Sequence, residues 1–201
     1  MKTLIAVPMK DPAASKTRLT DALSDTARTR LVHCLYRRTL DVLSTVATTA
    51  GADLAVITAS PSAAALAKAK GVRIIPETGT GLCAATTEAA RTATIYDRLC
   101  VIPADLAAPA PEDFLTLLSS TTAVTVCPST DQGTNALLVS PPDAIRFQYG
   151  PRSALRHLQE AEARGLTTCL LPLDSLSFDI DTSPCLTRAI RSVPEIAKAC
   201  A

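Results

Sequence analysis

Residues 6–20 read AVPMKDPAASKTRLT, and in this stretch an apolar run passes directly into a cation-rich loop that leads to a helix. The apolar run, Thr3–Val7, is typical of a buried strand, and Lys10, Lys16 and Arg18 follow it closely. Ammonium and guanidinium groups placed there could neutralise a bound phosphate. They could equally form a solvated connection, because lysines are exposed in most proteins. Neither GxxxxGK[ST] nor GxGxxG is present, so the loop is neither a Walker loop nor a dinucleotide fingerprint.

The alternation of short apolar runs and longer helix-like stretches continues along all 201 residues. The predicted strands are Thr3–Val7, Leu54–Thr58, Val72–Ile75, Leu99–Ile102, Ala123–Cys127, Ala136–Val139, Cys169–Leu173 and Ser177–Ile180. The predicted helices are Thr26–Thr48, Ser62–Lys70, Leu82–Thr94, Glu112–Ser119, Arg152–Arg164 and Pro184–Arg191. This pattern predicts an α/β fold, a three-layer α/β/α sandwich with a mostly parallel mixed sheet, in a single domain over residues 1–201. The stretch Thr130–Gly150 is the irregular part, and we expect an inserted, hairpin-like excursion there.

The composition is that of a globular chain without a strongly charged face. Hydrophobic residues make up 47 % and charged residues 19 %, and 20 basic residues nearly balance 19 acidic ones. Neither nucleic acid nor a membrane is therefore an expected partner. The seven cysteines form no CxxC pair and lie mostly in apolar runs, which favours buried thiols in a reducing cytosol. We expect a cytoplasmic protein, since neither a signal peptide nor a membrane-span-length apolar run is visible.

Three aspartates lie at or just beyond the ends of predicted strands, where open α/β sheets bind their ligands. Asp105 follows one strand in VIPADL, and Asp179 and Asp181 are two positions apart in SFDIDT. In an extended chain such residues project to the same side, and two neighbouring carboxylates favour a cation between them. Mg²⁺ is the natural candidate, because it prefers carboxylate and phosphate oxygens. The alternative is a polar strand end that only caps a turn or the next helix.

The segment GTNALLVSPPDAIRFQYGPRSALRH holds a further group of polar residues. Thr134 and Asn135 open a predicted strand, and Gly150 and Ser153 open a predicted helix whose N-terminus could receive an anion. His157 lies one turn further along that helix. A single histidine on a helix is more often a satisfied core or surface residue than a catalyst.

In their order and spacing, the stretches VPMK…SKTRL, PADL, GTNALL, YGPRSALRH and FDIDT resemble the guanylyltransferases of coenzyme F420 biosynthesis. These are the 2-phospho-L-lactate and phosphoenolpyruvate guanylyltransferases, and related enzymes use 3-phosphoglycerate. The resemblance implies a GT-A-like nucleotidyltransferase fold. It also implies that GTP donates its guanylyl group to the phosphate of a small three-carbon acid, with release of pyrophosphate.

The resemblance further implies roles for individual residues. The metal aspartates of the family, which would hold Mg²⁺, fall on Asp105, Asp179 and Asp181. Its basic loop falls on Lys10, Lys16 and Arg18. Its acceptor-binding positions fall on Thr134, Gly150 and Ser153, with Asn135 beside them. Catalysis is then expected to depend on charge neutralisation by Lys16, Arg18 and Asp105 during in-line attack of the acceptor phosphate on the α-phosphorus.

Two stretches depart from the family pattern. The family typically has asparagine where TGLCAA places Cys83, and its DTPEDL ending is DTSPCL here. A thiol is smaller than a carboxamide and bonds weakly. We therefore count Cys83 among the acceptor-binding residues and expect a roomier pocket, which favours 3-phosphoglycerate.

Other functions compatible with the same residues are a nucleotidyltransferase with another acceptor, such as a molybdopterin or sugar phosphate, and an inactive nucleotide-binding regulator. Retention of the three aspartates and three cations argues against the inactive protein. Arginines along the helix Thr26–Thr48 offer a surface on which a second copy could pack, so a homodimer is a further expectation.

Overall fold

The computed structural model covers residues 1–201 and contains one seven-stranded sheet. The strands are β1 (Thr3–Pro8), β2 (Asp53–Thr58), β3 (Arg73–Pro76), β4 (Arg98–Val101), β5 (Val124–Pro128), β6 (Thr134–Val139) and β7 (Thr168–Leu170). Their spatial order is β3-β2-β1-β4-β6-β5-β7. Strand β6 is antiparallel to both neighbours, β4 and β5, and all other neighbouring pairs are parallel. The predicted mostly parallel mixed sheet is confirmed.

Helices cover both faces of this sheet. They are α1 (Asp25–Ala50), α2 (Pro61–Ala69), α3 (Leu82–Thr92), α4 (Pro111–Leu118), α5 (Ser153–Ala163), α6 (Asp174–Ser177), α7 (Ser183–Ser192) and α8 (Pro194–Cys200). Alternate strand residues face opposite layers: Ile5 and Val7 pack in the core with α1 and α4, whereas Leu4 and Ala6 pack with α3 and α5. The three-layer α/β/α sandwich is therefore confirmed. No helix has the length and apolar character needed to cross a membrane.

The longest helix, α1, has both termini satisfied by local sequence. The hydroxyl of Ser24 accepts a hydrogen bond from the backbone N–H of Ala27 at 3.3 Å, which caps the N-terminus. At the other end Gly51 adopts a left-handed conformation (φ 62°), which glycine tolerates best. All six predicted helices are present, with bounds that differ from prediction by at most two residues.

The predicted strand Ser177–Ile180 is wrong. Residues Asp174–Ser177 form the helical turn α6, after which Asp179 makes only an isolated antiparallel bridge with Leu106. The apolar spacing explains this result: Leu173 and Leu176 lie three residues apart and both contact the core beneath α1 and α4. That is the spacing of a helical turn rather than of a strand.

The stretch Thr130–Gly150 is not an excursion from the sheet. It contains β6, which lies in the interior of the sheet between β4 and β5. The β5–β6 pairing shifts register, because Cys127 pairs with Ala136 whereas Pro128 pairs with Thr134. Asn135 is the extra residue of this β-bulge.

Helix α8 was not predicted, since its seven residues carry too short an apolar pattern to detect. It packs on α1, where Arg30 Nε donates to the carbonyl of Ala199 at 3.2 Å and Arg38 lies 3.7 Å from Glu195. Part of the arginine surface of α1 is thus covered by the same chain. The homodimer stays a prediction.

The expectation of buried cysteines holds only in part. Cys100 and Cys127 are buried within strands, but Cys83 is exposed and the other four are half-buried. Apolar neighbours in sequence did not distinguish cysteines on interior strands, which face a core layer, from cysteines on helices or on the edge strand β7.

Candidate active site

A cleft of about 400 Å³ opens at the carboxyl ends of β1, β3 and β4. Its walls come from the loop after β1, the start of α3 and the segments after β3 and β4, and they include Lys10, Ser15, Lys16, Glu77, Gly81, Leu82, Asp105 and Asp181. The cleft therefore lies at the sheet edge where α/β proteins bind ligands.

The basic loop on one wall is held in place by a buried arginine. Arg28 of α1 donates from Nη1 to the carbonyls of Ala13 (2.9 Å) and Ser15 (2.5 Å). At the start of the loop, the Asp11 carboxylate accepts from the backbone of Ala13 at 2.9 Å and from the Ser60 hydroxyl at 2.8 Å. These hydrogen bonds hold the loop against α1 and the segment after β2, so it is an ordered wall of the cleft although Lys10 and Arg18 are exposed.

Lys16 projects from this loop into the group of aspartates. Its ammonium bonds to Asp105 and lies 2.5 Å from Asp181 Oδ1, and its side chain is only 6 % exposed. Burial alone would lower the pKa of Lys16, but the carboxylates of Asp105 and Asp181 more than offset it and hold the pKa above its usual range. Lys16 is therefore a permanently charged cation inside the cluster.

The three predicted metal ligands come together. One carboxylate oxygen from each of Asp105, Asp179 and Asp181 lies within 4.8 Å of the others. Burial, followed by the carboxylates of Asp105 and Asp181, raises the pKa of Asp179. A divalent cation would relieve the repulsion between these carboxylates, and three carboxylates are a suitable donor set. The residues therefore fit a divalent cation.

The remaining predicted residues of the cleft differ in position. Lys10 is exposed at the cleft wall. Arg18 is also exposed, at 74 %, with Nη1 4.0 Å from Asp181 Oδ2. Cys83 is exposed near the start of α3 but is not part of the cleft lining. Its predicted contact with the acceptor stays a prediction.

A second polar group forms between β6 and α5. The Ser153 hydroxyl donates to Thr134 Oγ1 at 3.0 Å, and His157 Nδ1 lies 3.1 Å from the same oxygen. Gly150 precedes this helix with φ 120°, a conformation that a side chain would strain. Asn135 Nδ2 donates to Asp179 Oδ1 at 3.3 Å, so this group adjoins the aspartate cluster.

The β-bulge at Asn135 sets which way these side chains face. Ala136 and Leu138 pack in the layer of α1, and strict alternation would place Thr134 with them. The extra residue shifts the alternation by one, as bulges do. Thr134 consequently meets Ser153 on the α5 side.

Sequence reasoning missed the structural roles of several residues. Arg28 lay in an apparently solvated run of arginines, and no local pattern distinguished it. Glu77 and Gly81 follow β3, so the rule that ligands lie beyond strand ends could have found them. Asn135 was grouped with Thr134, but its bond to Asp179 depends on the bulge.

Comparison with known sequences gives concordant results. A family model described as guanylyl transferase CofC like matches residues 1–190. A 3-phospho-D-glycerate guanylyltransferase of Colwellia psychrerythraea is 38 % identical over 187 residues, covering 90 % of this chain and 88 % of that protein. A phosphoenolpyruvate guanylyltransferase of Chloroflexus aggregans is 34 % identical over 186 residues, covering 89 % and 92 %. A 2-phospho-L-lactate guanylyltransferase of Methanothermobacter thermautotrophicus is 29 % identical over 187 residues, covering 91 % and 82 %.

Solved structures share the fold at low sequence identity. A nucleotidyl transferase from Methanothermobacter thermautotrophicus superposes with a TM-score of 0.61 at 13 % identity, covering 96 % of this chain and 99 % of that one. A 4-diphosphocytidyl-2C-methyl-D-erythritol synthase from Anaerococcus prevotii gives a TM-score of 0.62 at 11 % identity, covering 96 % of each chain. These likenesses confirm the predicted nucleotidyltransferase fold.

Proposed function

The chain belongs to the guanylyl transferase CofC-like family, and from that premise we propose that it transfers GMP from GTP to the phosphate of a small phosphorylated three-carbon acid. Pyrophosphate is the second product, and the reaction belongs to coenzyme F420 biosynthesis. The observation that carries the proposal is the cluster of Asp105, Asp179 and Asp181 around a buried lysine at the wall of a nucleotide-sized cleft.

The preferred acceptor in this proposal is 3-phospho-D-glycerate. One relative named for that substrate is 38 % identical and a second is 32 % identical, compared with 34 % and 29 % for the phosphoenolpyruvate and 2-phospho-L-lactate enzymes described above. The proposal also extends the acceptor beyond the lined cleft to the exposed Cys83 at the start of α3, where a small thiol would leave space for an additional hydroxyl. Thr134, Gly150 and Ser153 bind this acceptor.

In the proposed reaction, an oxygen of the acceptor phosphate attacks the α-phosphorus of GTP in line with the departing pyrophosphate. The acceptor phosphate is already ionised at neutral pH, so the protein supplies no strong base. Lys10, Lys16 and Arg18 neutralise the phosphates of GTP, and the fixed loop that carries them lowers the cost of arranging the charges.

The cation of this proposal is Mg²⁺, held by Asp105, Asp179 and Asp181. When bound, it would supply further neutralisation of phosphate charge. The aspartates themselves fix where that charge would lie relative to the cleft, since Asp179 accepts a hydrogen bond from Asn135 and Asp105 lies in the segment that follows β4.

Pyrophosphate release from GTP, measured with a panel of acceptors, tests the proposal. The panel contains 3-phospho-D-glycerate, phosphoenolpyruvate, 2-phospho-L-lactate and a sugar phosphate, and CTP replaces GTP in a parallel series. We expect turnover with GTP and the three-carbon acids, and the largest kcat/KM with 3-phospho-D-glycerate. Turnover with the sugar phosphate alone would identify a different nucleotidyltransferase, and no turnover with any acceptor would favour the inactive regulator.

A further inference from the structure

The hydrogen bonds of His157 fix the protonation of its imidazole ring. The residue is fully buried (0 % exposed), and the backbone N–H of Gln148 donates to Nε2 at 2.9 Å. Nε2 is therefore an acceptor and carries no proton. In a neutral imidazole the proton must then be on Nδ1, which faces Thr134 Oγ1 at 3.1 Å.

Thr134 consequently receives two hydrogen bonds. The N–H of His157 and the hydroxyl of Ser153 both donate to Oγ1, and a hydroxyl oxygen has two lone pairs. Both are occupied, so the only remaining hydrogen-bonding capacity of Thr134 is its own proton. That proton has no acceptor within the chain, and the residue is partly exposed.

We propose that His157 is a positioning residue that fixes the Thr134 hydroxyl as a hydrogen-bond donor to an anionic oxygen of the acceptor. The proposal rests on the function proposed above, in which Thr134 binds the phosphorylated acid. If the imidazole proton were on Nε2 instead, the Thr134 hydroxyl would donate to Nδ1. A lone pair of Thr134 Oγ1 would then face the acceptor. A lone pair there would repel a carboxylate or phosphate oxygen.

The charge near this group supports an anionic ligand independently. Nη2 of Arg156 lies 3.3 Å from the position that a Cβ on Gly150 would take. Nε and Nη2 of Arg156 are both buried without a hydrogen-bond partner. An unpaired guanidinium is costly to bury, so its field favours an anion beside Gly150 and Ser153.

A matched pair of substitutions tests the proposal. In His157→Asn the amide nitrogen occupies the Nδ1 position and still donates to Thr134. In His157→Gln the amide reaches the Nε2 position instead and leaves Thr134 without this donor. We expect His157→Gln to raise the acceptor KM about tenfold, the usual effect of one hydrogen bond, and His157→Asn to raise it far less. The KM for GTP should change little in either variant. Equal acceptor KM values in the two variants would overturn the proposal.

Two acceptors distinguish the possible anionic groups. Glycerol 3-phosphate lacks the carboxylate of 3-phospho-D-glycerate but keeps the phosphate. If Thr134 contacts the carboxylate, His157→Gln weakens only 3-phospho-D-glycerate; if it contacts the phosphate, both acceptors are weakened. Either result supports a donor to an anion, and an unchanged KM for both acceptors contradicts it.

Nitrogen NMR of the wild-type protein gives a readout that does not depend on activity. The chain has two histidines, so a His33→Asn variant assigns their signals. We expect a neutral His157 with its proton on Nδ1, and a proton on Nε2 would overturn the proposal. The two proposals can fail separately. If the wild type has no guanylyltransferase activity, the proposed function is wrong. If the wild type is active but the two His157 variants have the same acceptor KM, only the positioning role of His157 is wrong.

Discussion

At the scale of single residues, Lys16 determines the electrostatics of the cleft. Its ammonium lies among carboxylates that would otherwise repel one another, and its backbone adopts a left-handed conformation (φ 55°) that is costly for any residue except glycine. The contacts with Asp105 and Asp181 maintain this conformation. Removing one partner of a buried ion pair leaves the other partners uncompensated.

Lys16→Met should therefore lower the free energy of unfolding of the metal-free protein by about 2 kcal/mol. This loss is smaller than that expected for a fully buried ion pair, because Asp181 is half exposed. Urea denaturation in the presence of a chelator measures the effect. Arg18→Met is the matched control, because Arg18 is 74 % exposed and 4.0 Å from the same aspartate. Equal losses in the two variants would contradict a special role for Lys16.

Asp181→Asn preserves the shape of the site but removes one charge from the aspartate cluster. We expect turnover to fall by about two orders of magnitude, as for other preorganised electrostatic contacts. Steady-state kinetics at saturating Mg²⁺ is the measurement. Asp143→Asn, at an exposed position away from the cleft, should retain wild-type turnover. A similar turnover in Asp181→Asn would exclude a metal-binding role for that residue.

At the scale of elements, α1 acts on the cleft through Arg28, which anchors the basic loop to the helix. Arg28→Met should leave the carbonyls of Ala13 and Ser15 without a donor and loosen the loop. The KM for GTP should rise about tenfold, because a flexible loop must be ordered when the nucleotide binds. Amide hydrogen exchange of residues 11–19 should increase. Arg37→Met, on an exposed position of the same helix, is the control, and unchanged exchange in Arg28→Met would refute the anchoring role.

Elements with a long, regular apolar pattern could be predicted from the sequence, and those defined by tertiary contacts could not. Strand β1 and helix α1 are examples of the first kind, since each buries a continuous run or stripe. Helix α6 and the bulge at Asn135 are examples of the second. Their conformations depend on what packs against them, which no local pattern records. Asp105 was found because it follows a strand-like run, and Asp179 and Asp181 because of their two-residue spacing, whereas Arg28 required the folded loop beside it.

At the scale of the whole molecule, one buried group links the fold to pH. Burial, with a further contribution from Arg156, lowers the pKa of His157 to about 4, compared with about 6.5 in an unfolded chain. Between these values the unfolded chain binds more protons, so stability should fall as the pH decreases through this interval.

The loss attributable to His157 should reach about 2 to 3 kcal/mol at the acid end of that interval. Urea unfolding at several pH values measures this loss as the difference in unfolding free energy between the wild type and His157→Asn, which lacks the titrating imidazole. Two parallel pH–stability curves would show that His157 does not contribute.

The bulge at Asn135 has a consequence for how this segment can vary. At the start of β6 the residue types can change without loss of the strand, but the number of residues cannot change. Loss of a single residue would restore regular pleating and make the sheet more uniform, yet it would turn the Thr134 position toward the α1 layer, away from Ser153. Insertions and deletions between β5 and β6 should thus be tolerated at the hairpin tip. They should be excluded at the start of β6, because one residue more or fewer there would turn each side chain to the opposite face of the sheet.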